Sequence, residues 1–348
     1  RSRLIENFRG VRAAAGTGTE ILGVVKADAY SHGAVEVSRL LEAEGAQWFG
    51  VSHPGEGVAL RKAGIRSRIL VMADFLPFER EALADYHLTP VIHSLDDLLG
   101  LESFAAERSV TLSYHLKIDS GMGRLGTSAG AEEILLGIRG ARHAKLEGLM
   151  THFAASADYT STQTEEQIEA FDGILSELRR GGAQPEWVHL SSTNAVAFGR
   201  ASASGNLVRV GHALYGYVSP VRGAAPRKLV NVKPALAWKA TVLAVKDIPK
   251  DASVGYGAMF RAPPAMRIGV LAVGYADGYP HRLSNRGKVI AGGRFAQVLG
   301  AVSMDVTTID LSGAPHIRPG DAVTLLGGEG DATLDAQQLA RMAGPISY

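Results

Sequence analysis

The stretch ILGVVKADAYSHGAVEVSRLLEAEG, residues 21–45, decides the fold because it joins a buried strand to an amphipathic helix. Its first part, Ile21–Asp28, is an almost continuous apolar run, which is typical of a parallel strand buried on both faces. Its second part, Ala34–Gly45, places Val35 and Leu41 on one helical face and ends in a C-cap glycine. The stretch therefore predicts one strand–helix unit.

The same unit recurs through the first two thirds of the chain. Amphipathic patterns such as Glu165–Arg180 lie between further apolar runs. Eight repeats of this kind predict an α/β fold, the (β/α)8 or TIM barrel. The eight predicted strands are Ile21–Asp28, Trp48–Val51, Arg68–Phe75, Thr89–Ser94, Thr111–Asp119, Leu146–Phe153, Trp187–Ser192 and Leu207–Gly211.

The pattern changes near Lys233, where short β-type runs broken by glycine and proline begin. Such runs predict a smaller, mostly antiparallel β domain. We place the junction at Asn231–Pro234, with a barrel domain over residues 1–232 and a β domain over residues 233–348. The predicted strands of the β domain are Ala235–Val245, Arg267–Val273, Lys288–Ala291, Ala296–Leu299, Val306–Leu311 and Ala322–Leu326.

Composition argues against several classes of function. The 348 residues include 36 Lys+Arg and 35 Asp+Glu, so a net charge of +1 gives no case for nucleic acid or a membrane surface as partner. There is no cysteine for a disulfide or a thiolate. The 11 histidines show no repeated ligand spacing, so we expect no metal site. The opening segment RSRLIENFRG lacks the apolar run of a secretory signal, and we expect no spanning helix.

Polar side chains fall near the carboxyl ends of several predicted strands, where barrel enzymes carry their active sites. Lys26 lies late in the first strand, His152 ends the sixth and Arg209 lies in the eighth. Barrels often hold a phosphate after strands seven and eight, where this chain has Ser192–Asn194 and Gly211–His212. We interpret this convergence as one site at the barrel mouth.

Lys26 is the sharpest candidate of this set. A lysine inside an apolar strand loses solvation, which disfavours its charged form and makes the amine nucleophilic. The alternative is a lysine at a strand end that extends to solvent. Its neighbours Asp28, Tyr30, His32 and Gly33 favour the functional interpretation.

The other candidates each keep a structural alternative. The hydroxyls of Ser192–Asn194 suit a dianion but equally suit an ordinary helix N-cap. Arg124, in the glycine-rich KIDSGMGRLG, is either a carboxylate ligand or a solvated loop residue. Tyr256, between two glycines in GYGAMF, either enters a neighbouring site or packs within its loop. A free phenol ionises near pH ~10, so a basic role requires surroundings that favour the ionised form.

Taken together, these segments resemble the alanine racemase family, whose members are pyridoxal-phosphate enzymes of fold type III. VVKADAYSHG is similar to the family's cofactor-lysine motif, with Ser31 where glycine is usual. KIDSGMGRLG, THFAASAD, RVGHALYG, GYGAMF, GYADGYP and VSMD also match, in the family's order. His212 departs from the apolar residue that is usual in the matching motif.

The resemblance implies an isomerase that interconverts L- and D-alanine with pyridoxal 5'-phosphate. It also implies a cytoplasmic homodimer with shared active sites that supplies D-alanine for peptidoglycan. Lys26 would bind the cofactor and act as one base. The β domain would contribute the second base, Tyr256, to the barrel site of the partner subunit.

Binding roles follow from the same resemblance. Arg209, backed by His152, would donate to the pyridine nitrogen of the cofactor. Lys117 matches a lysine that is often carbamylated. The phosphate ligands would be Tyr30, Thr193, Gly211, His212 and Tyr348. The substrate carboxylate would be bound by Arg124 and the backbone at Met304, and the entrance would be lined by Tyr275, Asp158 and Arg282.

Two other functions stay open. A racemase for another amino acid, such as serine, or for a broad range of them would differ in pocket size, which the sequence does not fix. A non-catalytic pyridoxal-phosphate-binding barrel is the second, although the β domain with GYGAMF argues against it. A fold-type III decarboxylase would use a cysteine in its second domain, and this chain has none.

Overall fold

The computed structural model describes residues 1–73, 76–200 and 205–344. They form two compact units, Arg1–Ala235 and a second unit that begins at Leu236. Among these described residues, no helix is both long enough and apolar enough to span a bilayer.

The first unit contains a sheet of eight parallel strands, which confirms the predicted (β/α)8 barrel. The strands are β1 (Glu20–Val24), β2 (Trp48–Val51), β3 (Arg68–Val71), β4 (Thr89–Ile92), β5 (Leu112–Lys117), β6 (Ala144–Met150), β7 (Trp187–His189) and β8 (Leu207–Val210). Neighbours in sequence are neighbours in the sheet, and β1 also pairs with β8. A parallel bridge between Ser192 and Arg209 joins the end of β7 to β8.

Helices connect these strands and pack against their outer faces. They are α1 (Ser2–Ala15), α2 (Lys26–Ser31), α3 (Ala34–Ala43), α4 (Pro54–Lys62), α5 (Arg80–Asp85), α6 (Leu95–Glu107), α7 (Ala131–Gly140), α8 (Gln163–Arg180) and α9 (Thr193–Ala197). The predicted helices Ala34–Gly45 and Glu165–Arg180 correspond to α3 and α8, with their ends slightly shifted. The hydrophobic core forms two clusters. The inner cluster is built on buried strand residues such as Trp48 and Leu70, whereas the outer cluster packs strands against helices.

Several predicted strands extend too far at their carboxyl ends. The strand Trp48–Val51 is correct, but β1 ends at Val24 rather than at Asp28. The prediction that Lys26 lies inside a strand is therefore wrong, because Lys26 begins α2. The last residues of the third predicted strand, Asp74 and Phe75, lie outside the described residues.

The segment α2 is a left-handed turn, which explains why the first strand stops early. Residues Ala27 to Tyr30 have φ values between 50° and 55°, and Ser31 has φ 63°. Left-handed backbone costs an L-residue roughly 1–2 kcal/mol, so surrounding contacts must hold the turn. The carboxylate of Glu56 accepts the Ala27 N–H at 2.7 Å, and Asp28 accepts the Ala34 N–H at 2.7 Å.

Replacing Ser31 by glycine is expected to stabilise the chain. Glycine adopts positive φ without steric cost, and the gain, offset by glycine's extra freedom in the unfolded chain, amounts to about 1 kcal/mol or less. The midpoint of thermal unfolding should rise. Ser103→Gly, in the middle of α6, is the matched control and should lower the midpoint, because glycine is a poor helix residue. A lower midpoint for Ser31→Gly would contradict the strain argument.

The second unit is a smaller, mostly antiparallel β structure, as predicted. Its main sheet has the order β13-β14-β15-β12-β9-β16-β17, and an added β13–β16 pairing closes it on itself. Val289, Leu325 and Val323 are among the residues that fill its core. The elements are β9 (Trp238–Ile248), β10 (Ser253–Val254), β11 (Phe260–Arg261), β12 (Met266–Leu271), β13 (Lys288–Ala291), β14 (Arg294–Leu299), β15 (Thr307–Asp310), β16 (Ala322–Glu329), β17 (Ala332–Leu334) and α10 (Ala336–Ala343).

Candidate active site

The candidate residues of the first unit follow the carboxyl ends of its strands. Lys26 begins the turn after β1, and Thr193 begins α9 after β7. Gly211 directly follows β8. His152 was predicted to end the sixth strand, but β6 stops at Met150, and His152 lies in the following loop. Because parallel strands end at the same rim, the barrel gathers these residues at one mouth.

Arg209 lies inside the barrel on β8 with only 4% of its surface exposed. Its guanidinium donates to the Thr151 carbonyl at 2.7 Å and to the His189 carbonyl at 2.7 Å. It also contacts Nδ1 of His152 and Nδ1 of His189, each at 3.0 Å. Burial lowers the pKa of Arg209 to about 9, so the side chain is a fixed cation near neutrality.

The pKa of His152 reflects the positive charge gathered at the barrel mouth. Its pKa falls to about 3, first because of burial and then because of four positive charges. The cations that act on it are, in decreasing order, Arg209, Arg124, Lys117 and Lys26. His152 is therefore neutral and accepts a hydrogen bond from Arg209. A cluster of this charge suits a ligand that carries several negative charges.

A glycine cradle lies beside this cluster. A Cβ built on Gly211 would lie 2.5 Å from the Tyr30 hydroxyl, so the close approach requires glycine. Thr193 Oγ1 accepts the Ala213 N–H at 3.2 Å, which ties the segment after β7 to the segment after β8. Next to the cradle, burial lowers the pKa of His212 to about 4. Hydroxyls and backbone N–H groups at this place are the donors that a phosphate needs.

Arg124 lies on a loop whose backbone is held by the carboxylate of Asp119. Asp119 accepts hydrogen bonds from the backbone N–H groups of Gly121, Met122 and Gly123, at 3.1, 2.9 and 3.0 Å to Oδ1. The Arg124 side chain is exposed, which agrees both with a carboxylate ligand and with a solvated loop residue. The loop is thus pre-formed, although no described contact fixes the guanidinium.

Lys117 is buried at the end of β5, next to the site. Its pKa falls to about 8, mainly through burial, then through the charges of Arg124 and Arg209, while Asp119 acts in the opposite direction. A substantial fraction of its amine is therefore neutral near pH 8. A neutral, buried amine beside an arginine is a reactive nucleophile.

The position of Lys26 does not agree with the argument from burial that singled it out. The side chain is exposed in the single chain, so the argument from desolvation inside a strand is wrong. What favours Lys26 instead is its place on the left-handed turn, four residues before Tyr30 and among the charges that act on His152.

Three candidate residues of the second unit lie on exposed surface. Tyr256 is 77% exposed, and Tyr275 and Met304 are also exposed. The Tyr275 N–H donates to the Ser303 carbonyl at 3.0 Å, and the Ala276 N–H donates to the Met304 carbonyl at 3.0 Å. Two of the three candidates therefore share one rigid pair of loops.

The loop that carries Tyr256 is anchored to the same region. Gly255 has φ 72°, a backbone conformation that favours glycine. Asn285 donates to the Met259 carbonyl at 2.7 Å and accepts the Gly300 N–H at 2.6 Å. Tyr256 is thus held in the open by a fixed backbone rather than packed within its loop.

Three predicted residues require separate mention. Tyr348 lies outside the residues that the structure describes. Asp158 forms an ion pair with Arg222 at 3.4 Å, within the first unit. Arg282 is exposed in the second unit. Within the described ranges there is no group of three or more His, Asp or Glu side chains suited to a metal ion.

Sequence reasoning missed the polar groups inside the barrel. His115 lies two residues before Lys117 on β5, so both side chains share the inner face. His189 ends β7 and contacts Arg209. The signal was present as a histidine inside each of these two buried strands.

A barrel of eight parallel strands, with its candidate residues gathered at the carboxyl ends of those strands, defines the class of TIM-barrel enzymes. The family described as "Alanine racemase, N-terminal domain" matches residues 1–220, and "Alanine racemase, C-terminal domain" matches residues 235–348. The chain belongs to the alanine racemase family, whose members are isomerases.

Individual relatives agree with this assignment. The alanine racemase of Carboxydothermus hydrogenoformans is 38% identical over 342 residues, which cover 98% of this chain and 92% of that protein. The solved alanine racemase of Bacillus anthracis with bound L-Ala-P has a TM-score of 0.88 at 31% identity and covers 100% of this chain and 89% of that one. A histidine racemase from Leuconostoc mesenteroides has a TM-score of 0.88 at 26% identity, with 99% of this chain and 91% of that one covered.

Proposed function

We propose that this chain is a pyridoxal-phosphate-dependent alanine racemase that interconverts L- and D-alanine with two bases. The bases are Lys26 and Tyr256 of the partner subunit. The observation that carries the proposal is the convergence of four cations, including Lys26, on neutral His152 beside a glycine cradle. Family membership agrees with it.

The residues at the mouth fit pyridoxal phosphate. The cradle at Gly211 would be filled by any Cβ, and it adjoins the Tyr30 hydroxyl and the segment tied to Thr193. In the proposal these three residues, together with His212 and Tyr348, hold the phosphate. When bound, the cofactor withdraws electrons from an amino acid joined to it and thereby acidifies the Cα–H bond.

Arg209 would face the pyridine nitrogen of the cofactor. A guanidinium has only donors, so it stabilises an unprotonated ring nitrogen as acceptor. Neutral His152 accepts from Arg209 on one side, which fixes the plane of the guanidinium. Lys26 would hold the cofactor at the other end of the ring, on the rim that it shares with Tyr30.

Proton movement at the substrate would involve both bases. Lys26 exchanges a proton with one face of Cα, and Tyr256 of the partner subunit exchanges a proton with the opposite face. Removal from one face and return to the other inverts the centre, which is racemisation. Arg124 and the backbone at Met304 would bind the substrate carboxylate, and Tyr275 would line the entrance.

The second unit supports a homodimer with shared sites. Tyr256, Met259, Tyr275 and Met304 are large apolar side chains left exposed on linked loops. Monomeric proteins seldom expose such groups together, so a partner surface is indicated. The proposal includes a cytoplasmic role, with the D-alanine formed supplying peptidoglycan.

Lys117 is expected to carry a carbamate, because its amine is partly neutral at a pKa of about 8. Carbon dioxide adds only to the neutral amine. Native mass spectrometry in bicarbonate should therefore show the adduct above pH 8 and lose it as the pH falls well below that value. The exposed Lys145 is the control and should stay unmodified. An unmodified Lys117 at pH 9 would contradict the expectation.

The function is tested by following the optical activity of L- and D-alanine in the presence of added pyridoxal phosphate. We expect both signals to decay to zero. Serine, lysine and histidine are tested in parallel, because a histidine racemase shares this fold at 26% identity. Faster decay with one of these substrates would replace alanine by that amino acid, and no decay with any of them would refute the proposal.

A further inference from the structure

A line of polar groups runs through the barrel behind Arg209, and the proposed reaction leaves it without a role. It consists of His189 on β7, His115 on β5 and Glu147 on β6. Both histidines have 0% of their surface exposed. A Cβ built on Gly148 would lie 2.5 Å from the His115 ring, so β6 leaves space for that ring. Polar groups enclosed in this way must satisfy one another.

The direction of the first hydrogen bond follows from the chemistry of arginine. A guanidinium can only donate, so Nδ1 of His189, which lies 3.0 Å from Nη1 of Arg209, must be the acceptor. Burial lowers the pKa of His189 well below its usual value, so the ring is neutral and has a single proton. That proton must be on Nε2.

The second hydrogen bond fixes the next ring in the same way. Nε2 of His189 lies 2.8 Å from Nδ1 of His115, which must accept. Burial lowers the pKa of His115 as well, so the ring is neutral and its proton is on Nε2. That atom lies 3.5 Å from Oε2 of Glu147, and neither atom has another partner within the described part of the chain.

Glu147 ends the line: its carboxylate faces the protonated Nε2 of His115 across 3.5 Å, a contact longer than a normal hydrogen bond. Arg68, at the start of β3, binds the other oxygen of the carboxylate and lies over the Trp48 ring at 4.2 Å. No carboxylate contacts Arg209 among residues that the structure describes. The negative charge that faces Arg209 through the two rings is therefore that of Glu147.

We propose that Glu147 is a positioning residue that fixes the proton tautomers of His115 and His189, so that an unprotonated nitrogen always faces Arg209. Without this acceptor, the His115 proton can move to Nδ1 and donate to His189. The proton of His189 would then move to Nδ1 and oppose an N–H of Arg209. Two buried donors facing one another lose their hydrogen bond and displace the guanidinium. The effect on the cofactor rests on the proposed function, whereas the tautomers do not.

The test uses protein labelled with 15N in the histidine rings, with signals assigned by single histidine-to-glutamine substitutions. In the wild-type protein, NMR should show both His115 and His189 protonated at Nε2. Glu147→Leu should shift one or both toward the Nδ1-protonated form. Glu147→Gln keeps one carbonyl acceptor, which can serve His115 only if the amide NH2 is turned toward Arg68, and should shift the tautomers less than Glu147→Leu. Glu102→Leu is the matched control, since Glu102 also contacts a histidine, His143, at 3.0 Å.

A second readout is the dissociation constant of pyridoxal phosphate. Loss of one buried hydrogen bond at Arg209 should raise it about tenfold in Glu147→Leu and much less in Glu147→Gln. The inference is overturned if His189 of the wild-type protein is protonated at Nδ1, or if Glu147→Leu keeps both tautomers. If Glu147→Leu fails to fold, the wild-type tautomers still decide, because an Nδ1-protonated His189 contradicts the inference. If the protein racemises alanine but has the wrong tautomers, only this inference is refuted. If the tautomers are as expected but no racemisation is observed, only the proposed function is refuted.

Discussion

Replacing Lys26 by alanine is expected to abolish the yellow colour of the bound cofactor and racemisation together. The amine would both hold the cofactor and exchange a proton with Cα, so no second group replaces either role. We expect racemisation to fall at least about 10⁴-fold, because a covalent anchor and a base are both lost. Absorbance spectra and the optical assay measure the two effects.

The control for Lys26→Ala is Lys145→Ala. Lys145 is exposed near the start of β6, at the barrel end opposite the mouth, and its removal should change neither colour nor rate. Borohydride reduction of the wild-type protein with pyridoxal phosphate, followed by peptide mapping, identifies the labelled amine. Label on any lysine other than Lys26 would refute the assignment, whatever the alanine variant does.

Tyr256→Phe is expected to keep the colour of the bound cofactor and to slow proton exchange at only one face of Cα. The phenylalanine retains the ring but cannot exchange a proton. We expect exchange of the α-hydrogen of L-alanine with deuterated solvent to fall about 10²–10⁴-fold, while exchange of D-alanine at Lys26 continues. Net racemisation falls equally in both directions, because the equilibrium constant between enantiomers is one.

Tyr86→Phe is the matched control, because Tyr86 lies on the first unit directly after α5. It should leave both exchange rates unchanged. Equal exchange of the two enantiomers in Tyr256→Phe would remove this tyrosine from the mechanism. A mixture of Lys26→Ala and Tyr256→Phe chains adds an independent test, because a shared site allows some mixed dimers to regain one complete active centre.

The architecture was predictable because its signals are local. Apolar runs such as Trp48–Val51 and amphipathic stretches such as α8 carry their own periodicity, and their alternation specifies the barrel. Strand ends were less predictable. The early stop at Val24 depends on the left-handed turn after it, and KADAYS contains no glycine that would mark such a turn.

The candidate site was predictable where the barrel rule applies and less so elsewhere. His152 and Gly211 follow strands and Arg209 lies on the last one, so topology alone gathers them. The exposure of Lys26 corresponds to the alternative rather than to the favoured interpretation, because desolvation was argued from a strand that ends before Lys26. The His115–His189 line depends on which inner side chains meet across the barrel, and a single strand does not reveal that.

Two of the contacts that hold the turn at Lys26 come from a part of the chain that is made much later. The Tyr215 hydroxyl donates to the Val24 carbonyl at 2.9 Å, and the Tyr215 ring packs 4.9 Å from that of Tyr30. A ribosome extends the chain from its amino end, so Lys26 emerges long before Tyr215 exists. The turn gains these two contacts only after the last barrel strand has been made. Under the proposed function, cofactor binding at Lys26 would therefore report a completed barrel.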